Sequence, residues 1–172
     1  MKATACGFPI QTRLPSHLKP ITFWCSYTVD LAEPDQTMEQ VYLGIFGHPP
    51  AVFKFMFRLR NRIVSVFGLS GPTAAELRQI EIKSSYRVGD KIALFTLLEA
   101  AQDEIIAGGE DKHLDFRVSV LRHREGARTR VILTTVVKTH NLFGRCYLFL
   151  IKPFHRYGVK RLMSDASAAG RI

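Results

Sequence analysis

No two cysteines in this 172-residue chain stand at C-x-x-C spacing; Cys6, Cys25 and Cys146 are scattered and odd in number. Neither a disulfide framework nor a cysteine-based zinc site is therefore expected, and a reducing, cytoplasmic setting fits. Long apolar runs are missing as well. The opening Met-Lys-Ala-Thr-Ala-Cys-Gly-Phe breaks at Pro9, and the later run from Cys146 to Ile151 is far below the ~20 residues a membrane span needs. Neither secretion nor spanning is expected. The sequence has no G-x-S-x-G, no Cys-His-Asn arrangement and no G-x-G-x-x-G, so hydrolytic nucleophiles and dinucleotide binding lack their motifs, and no cofactor is expected. RNP, zinc-finger and helix-turn-helix signatures are also missing, which argues against nucleic acid as a partner. Internal repeats and low-complexity tracts do not occur.

Acid is missing from two stretches, and this explains the charge. Residues 41–75 hold Lys54, Arg58, Arg60 and Arg62 with no Asp or Glu; residues 141–164 hold Arg145, Lys152, Arg156, Lys160 and Arg161, again with none. These nine cations account for the net charge of +9, because the remaining Lys and Arg offset the 15 acids. Basicity belongs to two segments, and both read as helices.

In the first, Val52, Met56, Leu59, Ile63 and Val66 recur at helical spacing, with Lys54, Arg58 and Arg62 on another side. Pro49 and Pro50 suit its start; Gly68, Ser70, Gly71 and Pro72 suit its stop. A short helix from about Thr37 to Gly47 precedes it, with Thr37 as N-cap and Gln40 closing a capping box. In the second basic segment Phe143, Tyr147, Leu150, Phe154 and Tyr157 form the expected inner seam. Pro153 should kink that helix near Phe149.

Elsewhere the period changes to two. Ile21–Leu31, Lys91–Glu99, Asp103–Gly109, His113–His123 and Arg128–His140 read as strands, with Glu81–Tyr86 a weaker sixth. Length and 47% hydrophobic content suit one domain with a substantial core. The expected boundaries are an irregular arm at 1–19, a domain at 20–165 and a tail at 166–172. The class is α+β, with helices grouped before and after an antiparallel meander.

The stretches Gly-Ile-Phe-Gly-His-Pro-Pro (44–50), Phe-Arg-Leu-Arg-Asn-Arg-Ile-Val-Ser-Val-Phe-Gly-Leu (57–69), Asp-Lys-His-Leu-Asp-Phe-Arg-Val-Ser-Val (111–120), Asn-Leu-Phe-Gly-Arg (141–145) and Lys-Pro-Phe-His-Arg (152–156) resemble an uncharacterised bacterial domain-of-unknown-function family. That family is itself similar to the START-like, SRPBCC superfamily of polyketide cyclases and pollen allergens. The resemblance covers about Ile21 to Ser164. It implies a helix-grip fold, in which a curved sheet of about six strands holds a long C-terminal helix over a cavity, with two helices after the first strand. It supplies no reaction and no catalytic residues.

Candidate chemistry then depends on which faces meet the cavity. Alternation puts His113, Asp115, Arg117 and Ser119 on one face of their strand and Leu114, Phe116, Val118 and Val120 on the other. One reading has Asp115 pairing with Arg117 and polarising His113 to grip a ligand or act as a base; the other has a solvated ion-pair ladder, and the need for the apolar face to meet the helices favours it. The strand from Arg128 is apolar on both faces, so it needs cover on both, from a partner subunit in a homodimer or from an adjacent loop. Trp24 and Tyr27 should lie on opposite faces of the first strand.

Tyr147, Phe154, His155 and Tyr157 on the terminal helix, with Arg60, Asp115 and Arg117, make up the candidate ligand-binding set. The leading expectation is a binder or carrier of a small, largely apolar or amphipathic ligand. The alternatives are an acid–base enzyme of cyclase, dehydratase or isomerase type, and an adaptor making weak contact with anionic membrane, for which Phe53, Phe55 and Phe57 interleave with Lys54 and Arg58.

Overall fold

The protein is analysed as a computed structural model, which describes residues 1–48, 86–126 and 128–172. Seven strands and three helices lie within them. In chain order these are β1 (Thr4–Ala5), α1 (Leu14–His17), β2 (Phe23–Asp30), α2 (Met38–Phe46), β3 (Lys91–Ile92), β4 (Phe95–Ala100), β5 (Glu104–Glu110), β6 (Leu114–Glu125), β7 (Arg128–Thr139) and α3 (Leu142–Ala168). The strands form one open antiparallel sheet in the order β1-β2-β7-β6-β5-β4-β3. It is the expected mixed α+β layout, with seven strands among the described residues where five were expected there: β1 is new, and Lys91–Glu99 divides into β3 and β4.

Local chemistry explains most boundaries. Thr37 Oγ1 accepts from the Gln40 backbone N–H at 3.2 Å while the Gln40 side chain accepts from the Thr37 N–H at 2.8 Å, so the expected capping box starts α2. The expected strand Lys91–Glu99 is instead a tight hairpin. Ala93 takes a φ of 51°, which no Gly or Asn in the sequence announces, and Ile92 pairs directly with Phe95. The expected basic helix at 52–66, with Arg60 and the interleaved phenylalanines, lies outside the described residues, as does nearly all of the weak strand at 81–86.

Each face of the sheet has its own core. On the inner face Phe23, Tyr27, Val118, Val120, Leu133 and Val137 pack against α2 and α3. On the outer face Ile106 and Val136 pack against Leu14 and Leu18, with Phe8 and Ile21 at the margin. The second apolar face of β7 is thus covered by the chain's own N-terminal segment, and the argument for a partner subunit there drops out. Residues 1–19, expected as an irregular arm, are fastened to the sheet: Thr4–Ala5 pairs with Tyr27–Thr28, and Leu14 is fully buried. The expected tail is packed too, with Ala166 and Ile172 in the inner core.

The arm is fastened through one buried carboxylate. Glu104 Oε1 accepts from the hydroxyls of Thr12 and Ser119, both at 2.5 Å, and Oε2 accepts from the Arg13 backbone N–H at 2.9 Å. A buried carboxylate is tolerated only when hydrogen-bonded this fully. Trp24 lies on the same outer face, edge-on to Phe8 at 5.5 Å, while Tyr27 faces inward, so the two stand on opposite faces as expected.

The seam of α3 is displaced by one residue from the expected one. Gly144, Leu148, Ile151, Gly158, Val159, Leu162, Met163 and Ala166 are buried; Leu150, Phe154 and Tyr157 are exposed. Both series have helical spacing. Continued towards the C-terminus, however, the expected one runs into Arg161 and Ser164, whereas the observed one meets only apolar side chains. The helix continues through Pro153.

Candidate functional site

A cavity of about 340 Å3 lies between the inner face of the sheet and the N-terminal half of α3. Phe23 of β2, Phe95 of β4, Phe116 of β6 and Val137 of β7 form its floor; Leu148 and Ile151 of α3 form its roof. Lining residues run along α3 from Phe143 to His155, twelve steps of 1.5 Å, which makes the space elongate at roughly 18 Å. Phe95 meets both Phe46 of α2, at 5.7 Å, and Phe116, at 5.2 Å, so the floor is braced by edge-on aromatic contacts.

Polar groups gather at the two ends. Near the start of α3 the wall includes Lys91, Glu110, Asp111 and His113. Asn141 is the N-cap of α3, its Oδ1 accepting from the Gly144 N–H at 2.9 Å. This orients the amide, whose nitrogen must then face the Lys112 carbonyl at 3.1 Å and His113 Nδ1 at 3.2 Å. His113 Nδ1 accepts from that nitrogen, so Nε2 carries the ring hydrogen. That Nε2 is buried without a hydrogen-bond partner, its ring edge-on to Phe143 at 4.4 Å. Gly144 permits the close approach: a Cβ there would collide with the His113 carbonyl oxygen.

At the other end His155 turns into the wall, its Nδ1 3.7 Å from the Cys25 sulfur and its ring edge-on to Phe23 at 6.2 Å. Burial, helped by the adjacent Arg156 charge, pushes the imidazole pKa down to about 4. Burial likewise pushes the Cys25 thiol up to about 11, so the sulfur stays a weak S–H donor rather than a nucleophile.

Of the expected ligand-binding set, Tyr147 and His155 line the cavity. Phe154 and Tyr157 point outward because the seam is displaced by one residue. Asp115 and Arg117 sit on the outer face and do not pair with each other: Asp115 meets His140 at 3.0 Å, and Arg117 meets Glu110 at 2.6 Å and donates to the Gly109 and Phe116 carbonyls. Nor is that face a solvated ladder, since Arg117 is buried. Arg60 lies outside the described residues. Phe23, Phe95, Phe116, Leu148 and Ile151 were not singled out from the sequence, although Phe116 alternates with Asp115 on the face that must meet the helices. Among the described residues, no three His, Cys, Asp or Glu side chains gather closely enough to hold a metal ion.

A family model described as a protein of unknown function (DUF2867) matches residues 18–162. The chain belongs to the DUF2867 family. The match covers β2 to β7 and α3 as far as Leu162, and so every cavity-lining residue named above. No curated protein matches this DUF2867 chain. No described helix is long and apolar enough to cross a membrane.

Proposed function

We propose that this protein binds or carries a small, elongate, largely apolar ligand in the cavity under α3, and that the ligand presents a neutral carbonyl-type oxygen to His113. The observation that carries this reading is a largely apolar space of about 340 Å3 with the His113 ring in its wall, the Nε2–H of that ring having no partner in the protein. An unmet buried donor is costly, and a ligand acceptor relieves that cost. Arg117, expected to meet a carboxylate ligand, faces the other side of the sheet, where Glu110 already engages it. The helix-grip, START-like kinship belongs to this proposal; a 27-residue C-terminal helix lying over one face of an antiparallel sheet supports it. A cytoplasmic setting is proposed on the three free cysteines.

The acid–base reading draws less support, because Asp115 pairs with His140 rather than polarising His113, and burial leaves His155 a weak base.

Two matched probes test the proposal: 2-acetylnaphthalene and 2-isopropylnaphthalene, which differ in a carbonyl oxygen. The wild type should bind the ketone more tightly. His113→Phe, which keeps a ring against Phe143, should lose about fivefold to tenfold on the ketone and nothing on the hydrocarbon, the size of one neutral hydrogen bond. Equal loss on both probes would remove the carbonyl assignment, and binding of neither by the wild type would remove the cavity reading.

A further inference from the structure

The N-terminal half of α3 turns a second apolar face outward. Phe149 is 78% exposed, Leu142 73%, Tyr157 61% and Leu150 60%. At 100° per residue these four fall within an arc of roughly 100°, opposite the buried seam, and span about 22 Å of helix. A helix that only roofs a cavity needs polar residues there. Arg145, Lys152 and Arg156 follow one edge of the strip within roughly 40°, and Lys160 continues its line. The first acid after the N-cap is Asp165, and it pairs with Arg161. No described carboxylate pairs with the other four cations; Lys152 and Arg156 instead rest over the Phe23 ring at 5.1 and 5.6 Å.

We propose that this face docks the protein on an anionic lipid surface. A strip of Phe, Leu and Tyr edged by cations that no described carboxylate neutralises is the pattern of a helix lying in the interfacial plane, with aromatics at the acyl boundary and cations among acidic headgroups. A second copy of the chain is a poor occupant, since antiparallel pairing of two such faces sets cation against cation with no acid between them. The strip carries a shallow hollow lined by Arg145, Cys146, Phe149 and Leu150, and it lies open to solvent rather than enclosed as a peptide groove would be. The assignment is independent of the cavity: it rests on the opposite face of α3.

Full-length protein should sediment with phosphatidylcholine vesicles containing phosphatidylserine at low salt, much less with pure phosphatidylcholine, and lose binding as salt rises. Phe149→Gln with Leu150→Gln, and separately Arg145→Gln with Lys160→Gln, should each weaken binding at least tenfold. All four positions are exposed, so the melting temperature should hold. Cys146 is exposed and lies within the strip, so a polarity-sensitive dye on it, in a Cys6→Ser background, should shift to the blue on phosphatidylserine vesicles. No sedimentation with those vesicles, or binding unchanged in both double variants, overturns the proposal. So does a wild-type dimer that becomes monomeric in Phe149→Gln with Leu150→Gln, because the face would then belong to a second copy.

Discussion

His155 is a titratable side chain held neutral by its surroundings, and that has a measurable consequence. Its folded pKa is near 4, against an ordinary 6.5 in the unfolded chain. Between those values the unfolded state binds a proton that the folded state does not, so stability is complete above pH 6.5 and falls as pH drops, by up to about 1.4 kcal/mol per unit. Urea midpoints for wild type and His155→Gln measured from pH 4 to 7 should converge towards the acid end as the wild-type advantage is lost; parallel curves would mean that His155 does not titrate as described. Gly144 makes the second residue-scale prediction. The His113 carbonyl occupies the space a side chain would need, so Gly144→Ala should cost about 1–3 kcal/mol, or several degrees of melting temperature, and should perturb the His113 end of the cavity first.

Among the elements, the N-terminal segment is the part the sequence disguised most. Residues 1–19 hold three prolines or glycines among short mixed runs, with no period to mark a strand or helix. Their structure comes from tertiary contact: Leu14 fills the outer core and Glu104 draws in Thr12 and Arg13. Leu14→Ala should therefore cost about 2–4 kcal/mol, as much as a deletion in the main core, measured by chemical denaturation. An effect under 1 kcal/mol would make the arm an ornament.

By contrast α2, with its capping box, β6, with clear alternation, and β7, with its run of β-branched residues, were legible because local chemistry sets them. The phase of α3 was legible in principle. Its first four turns carry two apolar faces, one buried and one exposed, and only Val159, Leu162, Met163 and Ala166 further on choose between them. Strand alternation correctly put Asp115 and Arg117 on the face away from the helices. It did not reveal that Glu110 and His140, distant in sequence, would partner them.

At the scale of the whole molecule, the chain packs its own core against each face of the sheet, and α3 carries the features left over: the cavity roof inside, and the apolar strip with its cations outside. Two imidazoles at opposite ends of an elongate cavity favour a ligand long enough to lie along the helix rather than a compact one. A cavity-filling change measures this most directly. Ile151→Trp projects a large ring into the middle of the space while leaving the sheet and the outer strip untouched. Thermal unfolding of wild type and Ile151→Trp would be compared with 2-acetylnaphthalene at about a hundredfold over its Kd. Ligand binding should stabilise the wild type by about 2.7 kcal/mol, a rise of roughly 5–10 °C, and leave Ile151→Trp unchanged. Equal shifts in the two proteins would mean that the ligand binds elsewhere, and would contradict the account.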